Sequence, residues 1–183
     1  MTAGKALSAV SARLSFPLAT LVLLMGISAQ CAFASATAPP EYCTSGRLQA
    51  MAPPDTTVAF AAREPGTCRI SGYVSTDDPG PNRVLFMMML PDNFTGCYLY
   101  LGVGSAAGQL PVANPALLRE GYAIAGSDAG TGPRNDADFN FNPGQREDYR
   151  GRGVHVSAQA TQQIARRYYQ REDLRRYISG KVR

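Results

Sequence analysis

The chain has little of what most enzymes build their sites from. Its 183 residues include one histidine, His155, and four cysteines with no Cys-x-x-Cys pair. Tetrahedral zinc sites draw three or four ligands from such residues at short spacings, so no metal is expected, and no cofactor either. There is no Gly-x-Ser-x-Gly, so no nucleophile elbow can be read; Gly126-Ser127-Asp128 has the wrong spacing. No lysine follows the one glycine-rich run, which excludes a Walker loop. That run also lacks the third glycine of a dinucleotide fingerprint, and no acidic ribose reader follows it. Charged residues make up 17% of the chain, with a net charge of +4. The positive surplus gathers late, in Arg166, Arg167, Arg171, Arg175, Arg176, Lys181 and Arg183. It reads as a solvated helix face, and no nucleic acid is expected.

The first 34 residues read as a signal peptide. Lys5 and Arg13 form a basic region ahead of an apolar run, Phe16 to Ser28, too short to span a membrane, and Ala32-Phe33-Ala34 supplies a small-x-small cleavage pattern. Two rivals are a lipoprotein leader, with Cys31 lipidated behind an oversized Gln30, and a retained anchor. Cleavage gives a mature chain from Ser35, secreted or periplasmic and free of the membrane. In such a compartment cysteines pair. Cys43 and Cys68 bracket a short polar loop and are expected to form a disulfide. Cys97 is then either a buried free thiol or has its partner outside this chain.

The remainder, 45% apolar over the whole sequence, suits one globular domain. Alternating or continuous apolar runs predict strands around Thr57 to Phe60, Cys68 to Val74, Arg83 to Leu90, Cys97 to Leu101, Tyr122 to Ala125 and Arg176 to Ser179. A short helix is expected over Asn114 to Glu120, capped by Asn114. A longer one is expected over Asp148 to Glu172, with Val154, Ala158, Thr161, Ala165 and Tyr168 on one face. Strands joined through helices predict an α/β fold with a mostly parallel sheet and flanking helices. The set is open, because no helix follows the last strand.

The glycine run, Gly102 to Gly108, follows a strand directly. Backbone poor in side chains lets N–H groups approach a ligand, either as a phosphate cradle or as an oxyanion hole, although a plain tight turn fits as well. His155 could serve as a base, but on a helix and with no nucleophile in context it reads as a structural residue. Asp136, Asp138, Glu147 and Asp148 lack the alternate-position spacing of a calcium loop. Asn93-Phe94-Thr95 is a glycosylation sequon that matters only in a eukaryotic secretory pathway.

Taken in order, these pieces resemble the family of tannases, feruloyl esterases and mono(2-hydroxyethyl) terephthalate hydrolases. The early Cys-x-x-x-x-Leu is matched by Cys43 to Leu48, and Pro-x-x-Cys-Arg-Val-x-Gly by Pro65 to Gly72. Leu-Pro-x-x-Trp-Asn-Gly is matched by Leu90 to Gly96, and the four-glycine run by Gly102 to Gly108. Arg119 to Ala123, Ser127-Asp128-Ala129-Gly130, Asp148 to His155 and Tyr168-Tyr169-Gln170 follow in family order. The departures are Val103 and Ser105 for glycines, Phe94 for tryptophan, Thr95 for asparagine, and an extra glycine near Arg152.

The resemblance implies an incomplete α/β-hydrolase-like fold, with residues 35–183 as the N-terminal part of the domain. It implies serine-based cleavage of small-molecule esters of aromatic acids, and the Cys43–Cys68 disulfide. It also implies that the N–H of Gly104 or Ser105 donates to an oxyanion. In the family the nucleophile lies in Cys-Ser-x-Gly-Gly, directly after the position of Gly180. Here Lys181-Val182-Arg183 follows instead, so truncation before the elbow, inactivity alone and a missing C-terminal part as partner are expected. The rivals are a non-catalytic exported module binding a ligand on the Gly102 to Gly108 loop, and a dinucleotide-binding enzyme.

Overall fold

The computed structural model describes residues 39–104, 108–132 and 141–180. The expected signal peptide, Ser105, Asp136, Asp138 and the basic residues Lys181 and Arg183 lie outside them. Among the described residues, no helix is long and apolar enough to cross a membrane.

Helix α1 (Ser45–Met51) opens the fold and is capped by the Thr44 hydroxyl, which accepts from the Arg47 N–H. Strands β1 (Thr56–Glu64), β2 (Thr67–Thr76) and β3 (Asn82–Pro91) follow, then β4 (Cys97–Gly102). Short α2 (Pro115–Arg119) leads to β5 (Tyr122–Ser127). Next come α3 (Pro143–Glu147), a wide turn over Asp148–Arg152, α4 (Gly153–Tyr169) and β6 (Arg175–Gly180). The strands make one six-stranded sheet in the order β1-β2-β3-β5-β4-β6.

The expected α/β sheet with flanking helices is what forms, and its strand directions are mixed. β1, β2, β3 and β5 pair antiparallel in sequence, whereas β4 pairs parallel with both β5 and β6. The reason is connection length. Only Pro65 and Gly66 separate β1 from β2, which forces a hairpin, while the strands that run parallel are joined through α2 and α4.

One face of the sheet carries the core. Ile70, Val74, Phe86, Met88, Leu90, Tyr98 and Tyr100 pack against Leu48 of α1 and Ala160, Ile164, Ala165 and Tyr168 of α4. Each fully buried large side chain contributes about 2 kcal/mol of transfer free energy. The Cys43–Cys68 disulfide forms, with Cα atoms 5.7 Å apart, and ties the lead into α1 to the start of β2. Cys97 is a buried free thiol at the opening of β4.

The long helix differs from the sequence reading. It begins at Gly153, after a turn in which Gly151 takes φ +145°, and ends at Tyr169. Its buried stripe includes Ser157, Ala160 and Ile164, while Val154 and Ala158 are only half-buried. A serine can occupy the stripe because its hydroxyl is satisfied by the Gly153 carbonyl, 2.6 Å away, and by Tyr100.

Candidate functional site

In an α/β sheet, ligands bind beyond the carboxyl ends of parallel strands, where successive connections leave to opposite faces. That point lies between β4 and β5. The chain leaving β4 passes through α2, on the face of Met87 and Met89, and a groove of about 590 Å³ opens between them. The chain leaving β5 reaches α4 on the core face. The β4 turn starts at Gly102-Val103-Gly104, with Gly104 exposed, and returns at buried Gly108. Register sets its start: Leu101 pairs with Gly126 of β5, and Gly102 with Gly180 of β6. All three parallel strands therefore end together around the turn.

β5 is built to let the turn come close. A Cβ at Gly126 would lie 2.3 Å from Pro111 Cγ and 2.7 Å from the Leu101 carbonyl oxygen, so only glycine fits. The next residue, Ser127, sits in a buried hydroxyl chain. The Tyr100 hydroxyl lies 2.7 Å from both Ser127 Oγ and Ser157 Oγ, joining β4, β5 and α4 beneath the turn. Burial pushes the Tyr100 phenol up, so it stays protonated and donates.

Asp128 is fully buried. Its Oδ1 accepts from the N–H groups of Leu85 (3.0 Å) and Gly130 (2.8 Å), and its Oδ2 from Gly132 (3.2 Å). Burial holds this carboxyl above the ordinary carboxylate range, against the pull of those N–H groups in the other direction. The Asp128 main-chain carbonyl accepts the N–H of Gly108 at 3.2 Å. Ala129 and Gly130 follow at φ +59° and +80°. The Gly130 position faces the Asp148 side chain so closely that a Cβ there would come within 2.6 Å of it.

Asp148 anchors the neighbouring loop. Its carboxylate accepts from Thr76 Oγ1 (2.7 Å) and Asn82 Nδ2 (2.8 Å) and pairs with Arg152. Arg152 also donates to the carbonyls of Asp77, Pro79 and Gly144. Because β3 runs antiparallel to β5, this loop stands at the same end of the sheet as the glycine turn.

The structure places Gly104 on the turn as expected; Ser105 lies outside the described residues. His155 is exposed on α4 and lies outside the buried hydroxyl network. Cys97 lies at the opposite end of β4. Among the described residues, no three His, Cys, Asp or Glu side chains group as metal ligands. Sequence reasoning missed the placements of Asp128, Tyr100 and Ser127. The only signal for them was the Ser-Asp-x-Gly string after a buried strand.

Comparison with known proteins bears on this geometry. A family model described as tannase and feruloyl esterase matches residues 68–182. Feruloyl esterase C from Talaromyces stipitatus is 25% identical over 114 residues, 62% of this chain and 21% of that protein. Among solved structures, an esterase from Aspergillus oryzae superposes with a TM-score of 0.64 at 23% identity, covering 76% of this chain and 32% of that one. Tannin acyl hydrolase from Aspergillus niger superposes at 0.57 with 18% identity, over 80% and 33%. Both superpositions show a shared fold. The chain spans between a fifth and a third of the length of these relatives.

Proposed function

Since the chain belongs to the tannase and feruloyl esterase family, we propose that it carries the oxyanion-binding portion of a serine-esterase site for carboxylic esters of aromatic acids such as gallate or ferulate. The observation that carries this reading is the register of β6 on β4, Gly102 opposite Gly180. In the family the serine-bearing bend follows the strand that β6 matches. A serine presented there is one strand away from the N–H groups of the glycine turn. Its oxygen would attack the ester carbonyl carbon while Gly104 or Ser105 donates to the developing oxyanion; the alcohol leaves, and water releases the acid from the acyl-serine.

These 183 residues do not complete that site. The sequence holds no Gly-x-Ser-x-Gly, and its one histidine is exposed. The chain alone therefore turns over no ester, because a single oxyanion element without nucleophile and base supplies little rate. Purified mature chain assayed on a chromogenic phenolic ester is expected to match buffer. Turnover well above buffer, or an acyl adduct on one of its own serines by mass spectrometry, overturns the reading. Export belongs to the same proposal, supported by the leader and by the disulfide. N-terminal sequencing of the secreted chain should then begin at Ser35.

A further inference from the structure

We propose that β6 is the edge through which two copies of this chain pair, antiparallel and about a two-fold axis at Tyr177. Gln49 closes the opposite edge of the sheet, so pairing stops at two. The inference rests on strand geometry and not on the functional reading above.

The two edges of the sheet are finished differently. At β1 the Gln49 side-chain amide stands in for a neighbouring strand. Its Nε2 donates to the Thr56 carbonyl and its Oε1 accepts the Val58 N–H, both at 2.8 Å. The Thr56 N–H donates to the Pro53 carbonyl, and the register shift between Val58 and Phe60 follows at once. A strand approaching β1 there meets main chain that is already bonded. No such cover lies on β6 among the described residues. The Arg175 N–H donates inward to the Gly96 carbonyl at 2.9 Å, on the β4 side. By the alternation of strand main chain, Arg176, Ile178 and Gly180 then direct their N–H and C=O groups outward.

This edge is complementary to itself. A two-fold axis perpendicular to the sheet leaves each face on its own side, so opposed residues must share a face. With Tyr177 opposite Tyr177 of the second copy, Arg176 lies opposite Ile178 and exchanges both main-chain bonds with it, and Arg175 lies opposite Ser179. No two like charges are directly opposed. Tyr177 stands level with Leu99 on the α2 face, its ring 6.1 Å from that of Tyr122, so the pair brings four rings together. Ile178, level with Tyr100 on the α4 face, is covered by the aliphatic stem of Arg176 from the second copy. The two Arg176 heads are diagonal neighbours, so added salt should tighten the pair by screening them.

Sedimentation of the purified chain over a concentration series tests this. A reversible monomer–dimer equilibrium is expected, tighter at high salt, with no larger species. Ile178→Pro deletes two outward N–H donors per dimer and none that the monomer uses, so it should weaken association about tenfold or more. With oxygen and a copper catalyst as oxidant, Tyr177→Cys should join to its own copy, two thiols giving one disulfide. Ser179→Cys, offset by four residues from its counterpart, should not. Gln49→Ala should add species larger than the dimer. A chain that stays monomeric, an Ile178→Pro variant that associates as tightly as wild type, or Ser179→Cys joining as fast as Tyr177→Cys overturns the pairing. A Gln49→Ala chain that still stops at two overturns the role of Gln49. Should Ile178→Pro not fold, the two cysteine variants decide. None of these reads ester turnover, so failure here and failure of the esterase reading are told apart.

Discussion

β2 and β6 are both strands of one sheet, yet they live under opposite conditions. β2 has neighbours on both sides, a disulfide at its start, and Cys68, Ile70, Gly72, Val74 and Thr76 buried. Among the described residues β6 has one neighbour, β4, and all six of its residues are exposed, with Ile178 at 71% and Tyr177 at 47%. Pairing alone does not seal a strand; a helix over its face does. β2 is therefore locked into the core from both sides, while among the described residues β6 leaves an edge exposed.

That contrast can be broken by truncating one side chain on each side. Phe94 is fully buried, with its ring 3.9 Å from that of Tyr169. Phe94→Ala should cost about 4 kcal/mol in urea unfolding, against about 0.5 kcal/mol or less for Ile178→Ala. Equal losses would show that β6 is as integrated as the core. Replacing Cys43 and Cys68 by serine removes a cross-link across 25 residues. About 3 kcal/mol should be lost, and reductant should have the same effect on the wild type and none on the variant. Tyr100→Phe leaves two buried serine hydroxyls short of a partner where the halves join, for about 1–2 kcal/mol.

The smallest effect sharpens the comparison through pH. The folded chain raises the Asp128 carboxyl above its ordinary range, so the fold binds that proton more tightly than the unfolded chain does. Its increment of stability is present at acid pH and is lost as pH rises through the folded value. Urea melts in an acid-to-neutral series should show the wild type gaining on Asp128→Asn as pH falls. A constant gap between the two would remove Asp128 from the account.

How much of this could be read from residues alone follows from where their partners lie. The buried runs Arg83 to Leu90 and Cys97 to Leu101 announced β3 and β4, because strands covered on both faces are continuously apolar. β1 was recognised only in part, since the register shift between Val58 and Phe60 interrupts its alternation. Helix α1 has seven residues and buries only Leu48, which leaves no period to detect. On α4 the sequence reading found Thr161, Ala165 and Tyr168 but missed Ser157, which is buried against the Tyr100 hydroxyl and which a hydrophobicity pattern scores as outward-facing. The glycine turn was legible. Asp128 was not, because the described partners of its carboxylate are main-chain N–H groups, and main chain has no sequence signature.

The unpaired thiol of Cys97 has a practical use. It sits at the opposite end of β4 from Gly102, five residues away or about 17 Å along a strand. With Cys43 and Cys68 bonded to each other, it is the one sulfhydryl among the described residues open to alkylation. Because it is buried, a labelling reagent reaches it only when the sheet separates there, so its reaction rate clocks breathing of the parallel half without disturbing the end where chemistry is assigned.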